Sequence, residues 1–185
     1  MVTFKFKLTA KEYLQYNYYT AWADPGKKSY RFNYFLRVFL LYGFVAALYI
    51  LTSKSHLIWI DILVFVLTGT VYLMLVPFFI RQSVKRRVSA ILTKKENLHI
   101  LEESEIILSD TTIVDRDTVS ESRYSWDAIV RICETADSFY LYTNSYHAIV
   151  IPKRVMNTGP ENKEVLRLFH KCLPLSAEFP EKLKA

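Results

Sequence analysis

Residue types that perform catalysis are present in this 185-residue chain, but their spacing does not form a catalytic motif. An enzyme needs a nucleophile or a metal ion, together with a group that activates it. His99, His147 and His170 lie far apart in the sequence, and no motif surrounds any of them. The acid pairs Glu102-Glu103 and Asp115/Asp117 fall at predicted strand ends and turns. Solvated charge is the ordinary explanation for acids in such places.

The glycines and cysteines give no catalytic or metal-binding motif either. The four glycines form no phosphate-binding loop. The two cysteines, Cys133 and Cys172, have no zinc-site spacing with histidine. Both fall in a segment that we expect to be cytoplasmic, which predicts reduced, buried thiols. The sequence therefore favours a non-enzymatic protein with no catalytic residue, no cofactor and no metal.

Two groups of basic residues are the main candidates for binding. Lys153 and Arg154 follow Ile151-Pro152 at a predicted turn, where they could contact lipid phosphates or a protein carboxylate. A solvated basic turn is the alternative. The second group follows the second apolar run, a position that favours attraction to anionic inner-leaflet lipids. Its members are Arg81, Lys85, Arg86 and Arg87.

The elements that position these residues are organised around two apolar runs, 35–52 and 57–80. At 1.5 Å per residue they would span about 27 and 36 Å as helices, close to the roughly 30 Å of membrane hydrocarbon. Neither run keeps the polar face that a soluble helix normally has. The connector 53–56 is short, so the two spans form an antiparallel hairpin.

The basic residues also predict the orientation of this hairpin. They concentrate at the ends away from the connector, and positive residues stay inside. Both termini are therefore expected to be cytoplasmic, in a two-span protein of the inner cell membrane. The formal net charge of +6 comes largely from these flanks, and no recognised nucleic-acid motif accompanies them. Nucleic-acid binding is not expected.

Charges within the apolar runs suggest a second possible function. Arg37 lies at the inner end of the first run, where it can extend to the headgroups. Asp61 lies about one turn into the second run, and an ionisable residue inside a membrane suggests a functional site. The alternative is that Asp61 reaches the outer interface beside Trp59 and His56.

Small residues in both runs bear on how the helices pack. Gly43 with Ala47, and Thr68-Gly69-Thr70, could pack the hairpin on itself or pair two copies. Together with Asp61 they give the alternative function, which is a homo-oligomeric membrane pathway or a transporter accessory.

The N-terminal arm, residues 1–34, combines a strand pattern with a helix pattern. Residues 3–8 alternate in polarity with a period of two. The capping-box sequence from Thr9 to Glu12 then predicts an aromatic-rich helix. Either this arm lies in the headgroup region, or the strand joins a sheet of the C-terminal domain, since an isolated strand needs a partner.

The C-terminal part is predicted as a basic linker or helix, 81–96, followed by a small domain, 97–185. Short apolar-rich runs separated by turn residues argue for an antiparallel sandwich or barrel. Trp126 is expected in its core, with Tyr140 and Tyr142 half-exposed. The alternative is that these three aromatic residues line a ligand groove. Pro160 suits the start of a helix. That helix carries the apolar stripe Val165, Leu166, Phe169, Cys172 and Leu173, and the predicted strands are 98–101, 105–108, 111–115, 119–126, 129–134, 139–143 and 148–151.

Residues 125–132, 134–142 and 148–154 carry the motifs W-x-x-I, F-Y-L-Y and I-P-K-R in that order. This pattern resembles the C-terminal signature of the YcxB-like family of small bacterial membrane proteins. Leu8-Thr9 with Glu12-Tyr13, and the hairpin itself, fit the same family. The resemblance implies a cytoplasmic-facing domain similar to bacterial pleckstrin-homology modules, and it brings no established activity.

The chain is thus predicted to be an α+β membrane protein. A two-helix transmembrane hairpin is joined to a small antiparallel sandwich or barrel, capped by a C-terminal helix and pleckstrin-homology-like. We expect it to present a non-enzymatic interaction module at the cytoplasmic face. The predicted partners are the bilayer, anionic headgroups and an unknown protein. Assembly as a homo-oligomer is an alternative.

Overall fold

The computed structural model of the protein describes residues 1–52, 57–156 and 160–173. The predicted connector 53–56 lies outside these residues. The chain forms two compact units. One combines residues 1–17 with the chain from Val88 onward, and the other contains residues 18–87. The predicted functional domains 1–34, 35–80, 81–96 and 97–185 remain predictions.

Two long helices dominate the unit of residues 18–87. Short helical turns at Tyr19–Ala23 and Pro25–Lys27 lead into helix α2, Lys28–Thr52, and helix α3 is Ile58–Leu92. Both are long and apolar enough to cross a membrane. Each helix extends beyond its predicted apolar run into polar sequence. This is possible because a helix pairs its own backbone hydrogen-bonding groups in water as well as in lipid. The expected helical continuation of α3 past Val88 is confirmed.

Tyr42 holds α2 and α3 together. Its hydroxyl donates a 3.1 Å hydrogen bond to the carbonyl of Phe65 and is also hydrogen-bonded to Thr68. A Cβ atom added at Gly69 would lie 3.0 Å from the Tyr42 ring, so glycine makes this approach possible. The Thr68-Gly69-Thr70 surface therefore packs the hairpin on itself. By contrast, nothing lies within 4 Å of a Cβ added at Gly43.

Two antiparallel sheets form the other unit. The N-terminal strand pairs with the second strand in the register Phe4–Ile106, so of the two alternatives for the arm the strand joins the sheet. The first sheet has the order β1-β2-β3-β4 and the second β5-β6-β7. The strands are β1 Val2–Lys7, β2 Glu103–Leu108, β3 Thr112–Arg116, β4 Glu121–Ser125, β5 Arg131–Glu134, β6 Ser138–Tyr142 and β7 Ala148–Pro152.

Two details of the predicted sheet are corrected. The predicted strand at 98–101 is wrong, because residues Lys95–Leu101 form a 3₁₀ helix. A four-residue apolar run cannot be assigned to strand or helix by its period alone. The sheets also stay separate in the described part of the chain, so no barrel closes. A 3₁₀ turn at Trp126–Ala128 separates β4 from β5.

Helix α4, Pro160–Cys172, completes the core of this unit. Phe169 makes edge contacts with Trp126, at a ring distance of 6.3 Å, and with Phe139 at 5.7 Å. The Trp126 indole N–H donates a 2.9 Å hydrogen bond to the carbonyl of Ser109, which confirms Trp126 as a core residue. Within the predicted stripe, Val165, Phe169 and Leu173 are buried while Leu166 and Cys172 are half-buried, and the stripe omitted the buried Leu168.

The prediction that Tyr140 and Tyr142 are half-exposed is wrong, since both are buried. Strand β6 is covered on both faces rather than one. Tyr16 of helix α1, Ala10–Tyr18, packs on Tyr140 with ring centroids 5.5 Å apart. The Arg131 guanidinium lies 4.5 Å from the centre of the Tyr142 ring. The N-terminal arm therefore buries a face that the local sequence predicts as exposed.

Candidate functional site

Arg154, one of the two predicted basic binding residues, contacts the N-terminal arm of its own chain. A 3₁₀ helix, Lys153–Val155, follows β7 and places the Arg154 side chain beside Glu12. The guanidinium Nε donates to Glu12 Oε1 at 2.7 Å, and Nη2 donates to Oε2 at 3.1 Å. Nη2 also donates to the carbonyl oxygen of Lys7 at the end of β1. Arg154 thus joins the end of the second sheet to β1 and α1.

Glu12 is held in place by the predicted capping box, which the structure confirms. The Thr9 N–H donates to Glu12 Oε2 at 2.8 Å, and the Glu12 N–H donates to Thr9 Oγ1 at 3.2 Å. Burial acts to raise the pKa of the Glu12 carboxyl, but the hydrogen bonds from Arg154 and Thr9 outweigh it. The pKa of Glu12 therefore lies below its ordinary value, and the group is ionised at neutral pH.

Lys153, the second predicted residue of the turn, also contacts a carboxylate of this chain. Its Nζ lies 2.6 Å from Glu134 Oε1 and 5.0 Å from the centre of the Phe139 ring. Binding of Lys153 and Arg154 to a lipid phosphate or a partner stays a prediction. Such a ligand would compete with these internal contacts.

Tyr16 is a second long-range contact of the arm. Its hydroxyl donates to the carbonyl of Tyr146 at 2.8 Å and accepts from the N–H of Ala148 at 3.1 Å. It therefore satisfies backbone groups at the start of edge strand β7. Gln15 adds a 3.0 Å hydrogen bond to Asp137. These contacts are not predictable from the sequence, whose only local signal here is the capping box at the start of α1.

Four cations on α3 form what we call the basic collar. They are exposed, and the part of the chain that the structure describes gives none of them an ion pair or hydrogen bond. At about 100° of rotation per residue, they spread around the helix rather than along one face. Cations spread around a helix over about 9 Å of its length suit a layer of phosphates better than a single small anion. The collar consists of Arg81, Lys85, Arg86 and Arg87.

Asp61 lies in the first turn of α3 and is partly exposed. The unpaired N–H groups at a helix start favour a negative charge there. Within residues 1–52, 57–156 and 160–173, no side chain forms an ion pair with Asp61. Its predicted neighbour His56 lies outside the described residues. The position is that of an ordinary N-terminal helix acid, and a role for Asp61 in a pathway stays a prediction.

The acid pair Asp115 and Asp117 has two distinct environments. Asp115 shares the inner face of the first sheet with Ile113, and burial together with the Asp117 charge raises the pKa of its carboxyl. Burial also acts to raise the pKa of Asp117, but the N–H groups of Val119 and Ser120 donate to it and lower it. Asp117 is therefore a turn cap, while Asp115 is a half-buried acid.

The described segments contain no group of three or more histidine, cysteine or acidic side chains that could hold a metal ion. Neither of the two cysteines in those segments forms a disulfide. Cys133 is buried and Cys172 is half-buried.

The fold is that of an α+β protein with two candidate membrane-spanning helices and two small antiparallel sheets. Within it, residues 108–169 match the family model described as YcxB-like protein. This segment, about a third of the chain, runs from the end of β2 to Phe169 of α4 and contains the three motifs that suggested the family. No curated protein and no solved structure matches the chain.

Proposed function

We propose that the chain is a two-span membrane protein of the YcxB-like family that presents a non-enzymatic interaction domain at the cytoplasmic face. The hairpin anchors the domain, and anionic lipid headgroups bind the basic collar. A protein partner for the domain is part of the same proposal.

The observation that carries the proposal is the apolar surface of α2 and α3. Large side chains such as Leu41, Leu51 and Trp59 are 69%, 82% and 84% exposed. Leaving such surface in water costs about 25 cal/mol per Å², and each helix is apolar around its circumference rather than on one stripe. A bilayer covers that surface completely, whereas a soluble protein rarely exposes apolar patches of this extent.

Strand order supports the proposed resemblance of the domain to pleckstrin-homology modules. Four antiparallel strands precede three, and a C-terminal helix packs against the core that both sheets share. The match to the YcxB-like family over residues 108–169 covers most of that arrangement. Such folds host many functions, so the proposed function depends on the collar and the hairpin rather than on the fold.

The basic collar supports the choice of lipid and the orientation. Its four cations follow the second apolar run directly, at the depth where a helix leaves the hydrocarbon. Each juxtamembrane Lys or Arg near an anionic surface contributes about 1 kcal/mol of attraction. Because such residues stay on the inner side, the collar faces the cytoplasm together with both termini.

A reconstitution experiment tests this function. The full chain is incorporated into vesicles of phosphatidylcholine with one-quarter phosphatidylglycerol, and bound phosphatidylglycerol is measured by energy transfer to a labelled lipid. A variant with Arg81, Lys85, Arg86 and Arg87 all changed to Gln is compared with wild type. Lys11→Gln with Lys163→Gln is the control, since these two lysines are exposed on the other unit.

We expect both variants to resist extraction by alkaline carbonate, because the apolar helices are intact. The collar variant loses the enrichment of phosphatidylglycerol, and the control retains it. Release of the wild-type chain by carbonate would contradict the membrane anchor. Equal enrichment in all three proteins would contradict the role of the collar.

A further inference from the structure

An apolar cavity of about 310 Å³ lies between α2 and α3, and we call it the interhelical groove. This volume is in the range of ligand pockets. The Thr70 hydroxyl at its wall donates to the carbonyl of Val66 at 2.8 Å, and the Tyr42 hydroxyl donates to the carbonyl of Phe65 at 3.1 Å. The third hydroxyl of the lining, that of Tyr72, is hydrogen-bonded to Tyr34. The groove therefore suits an alkyl chain rather than a polar ligand. Phe39, Gly43, Ala46, Val66, Thr70 and Leu73 are among the residues that line it.

Gly43 makes room in the groove. No heavy atom lies within 4 Å of a Cβ built at this position, whereas the Cβ position of Gly69 is filled by the Tyr42 ring. The two glycines thus have opposite roles. Gly69 allows the helices to touch, and Gly43 leaves space beside that contact.

A stripe on α3 leads from the groove to a cation. Val66, Thr70, Leu73, Pro77 and Arg81 follow each other at intervals of three or four residues, which places them on one helix face. From Val66 to Arg81 the helix rises about 22 Å. A whole bilayer with its headgroup regions is roughly 40–45 Å thick. One leaflet is half of that, which is nearly the same length as this helix segment. Arg81 is exposed and has no ion pair within the residues that the structure describes.

We propose that the interhelical groove binds one acyl chain of an inner-leaflet anionic phospholipid whose phosphate is bound by Arg81. An Arg guanidinium forms strong bidentate hydrogen bonds with phosphate, and the apolar wall matches the chain beyond it. The inference rests on the proposed membrane anchor, but it concerns one specific lipid position rather than the general attraction of the collar.

A second copy of the chain is the main competing occupant of the groove. A two-fold axis along the helices would bring two basic collars to the same depth. Eight cations would then lie close together without acids from α3, whose acidic residue Asp61 lies at its opposite end. Like charges at such an interface repel, so the charge distribution favours a lipid.

The test uses photo-crosslinking in vesicles of phosphatidylcholine that contain phosphatidylglycerol with a diazirine at the end of one acyl chain. The full chain is reconstituted, irradiated and digested, and adducts are located by mass spectrometry. Gly43→Phe fills the groove, and Ala46→Leu does so with a smaller change. Ala47→Phe is the matched control, since Ala47 is exposed on the same helix but does not line the groove.

We expect wild type and Ala47→Phe to be labelled at the groove residues of α3, and both groove-filling variants to lose that label. In Arg81→Gln we expect groove labelling by the phosphatidylglycerol probe to fall roughly tenfold, as loss of a charge-assisted hydrogen bond implies. The same probe on phosphatidylcholine, whose phosphate is neutralised by its own choline, should respond less to this change.

Adducts spread evenly over Leu41, Phe44 and other exposed positions would overturn the proposal. So would groove labelling that survives Gly43→Phe. Disulfide-linked dimers of Gly43→Cys with no groove adducts would assign the groove to a second copy. Carbonate resistance is measured in every sample, so a protein that fails to insert contradicts the membrane anchor itself and is distinguished from a failure of the groove alone.

Discussion

The Arg154 guanidinium lies 2.7 Å from the carboxylate of Glu12, a residue 142 positions earlier in the chain. This ion pair connects the end of the second sheet to the start of α1. Glu12 is 9% exposed, and Thr9 supplies its remaining hydrogen bonds. Together with the pairing of β1 and β2, this ion pair connects the N-terminal arm to a domain that otherwise begins near residue 88.

Removal of Arg154 should destabilise this domain. Arg154→Met leaves a buried carboxylate without its cation, which costs about 1–3 kcal/mol, and the half-exposed Arg154 side chain favours the lower part of that range. Chemical unfolding of the full chain in micelles, followed by tryptophan fluorescence, measures the change. Arg167→Met is the control, because its ion pair with Glu164 is an exposed pair within one helix. The control should change stability by less than about 0.5 kcal/mol, and equal losses in both variants would contradict the role of the Glu12 pair.

The pH dependence of stability should change in Glu12→Gln. The folded-state pKa of Glu12 is depressed below its ordinary value of 4.5. Its ionised form therefore stabilises the wild type at neutral pH, and that contribution is lost as pH falls from the unfolded pKa through the folded pKa. Glu12→Gln should be less stable than wild type at pH 7, with a gap that closes in acid. Unfolding curves between pH 7 and pH 3 test this.

Asp115→Asn should change stability at pH 7 in the opposite direction to Glu12→Gln. Burial raises the pKa of Asp115, so its charge destabilises the folded domain at neutral pH, and protonation relieves this as pH falls through the raised folded pKa. The Asn variant should be more stable than wild type at pH 7, and the advantage should vanish in acid. If the stability of both variants changes with pH in parallel with that of the wild type, neither pKa direction is correct.

Gly69 should tolerate no side chain. Gly69→Ala places a methyl group 3.0 Å from a Tyr42 ring whose hydroxyl is held by Phe65 and Thr68. Overpacking of this kind costs about 1–3 kcal/mol. Reversible unfolding in mixed micelles, reported by a fluorophore pair on the two helices, measures the loss. Gly43→Ala adds the same methyl group to open space and should cause no loss. If both changes are neutral, the contact between Tyr42 and Gly69 does not hold the hairpin.

Asp61 distinguishes the proposed anchor from a membrane pathway. If the hairpin is only an anchor, Asp61 is a helix-terminal acid that stabilises α3 by about 0.3–1 kcal/mol. Asp61→Leu should then insert and fold like wild type. Proteoliposomes containing either protein should leak protons no faster than empty vesicles, as measured with an enclosed pH-sensitive dye. A leak seen with wild type and abolished by Asp61→Leu would establish the pathway instead.

Short-range patterns predicted the local elements well. The length of the apolar runs and their lack of a polar face predicted α2 and α3. Six of the seven predicted C-terminal strands are present, and the capping box marked the start of α1. Residues 98–101 were assigned wrongly because four residues hold too little periodicity to distinguish a strand from a 3₁₀ helix.

Long-range contacts were not predictable in the same way. The partner of Glu12 and the burial of Tyr140 depend on which distant segments meet, and a single sequence carries no signal for that pairing. The basic turn was predicted to be available for a ligand because the sequence does not show that Glu12, 142 positions earlier, engages Arg154. Its carboxylate partner comes from the opposite end of the chain.

Topology mapping is the most direct test of the membrane anchor. The test uses a dual reporter, which is enzymatically active only on the external side of the membrane and fluorescent only on the cytoplasmic side. The reporter is inserted in the connector 53–56 or fused after Ala185. The account predicts external activity for the connector fusion and internal fluorescence for the C-terminal fusion. External activity at Ala185 with internal fluorescence at 53–56, or internal fluorescence at both sites, would contradict it.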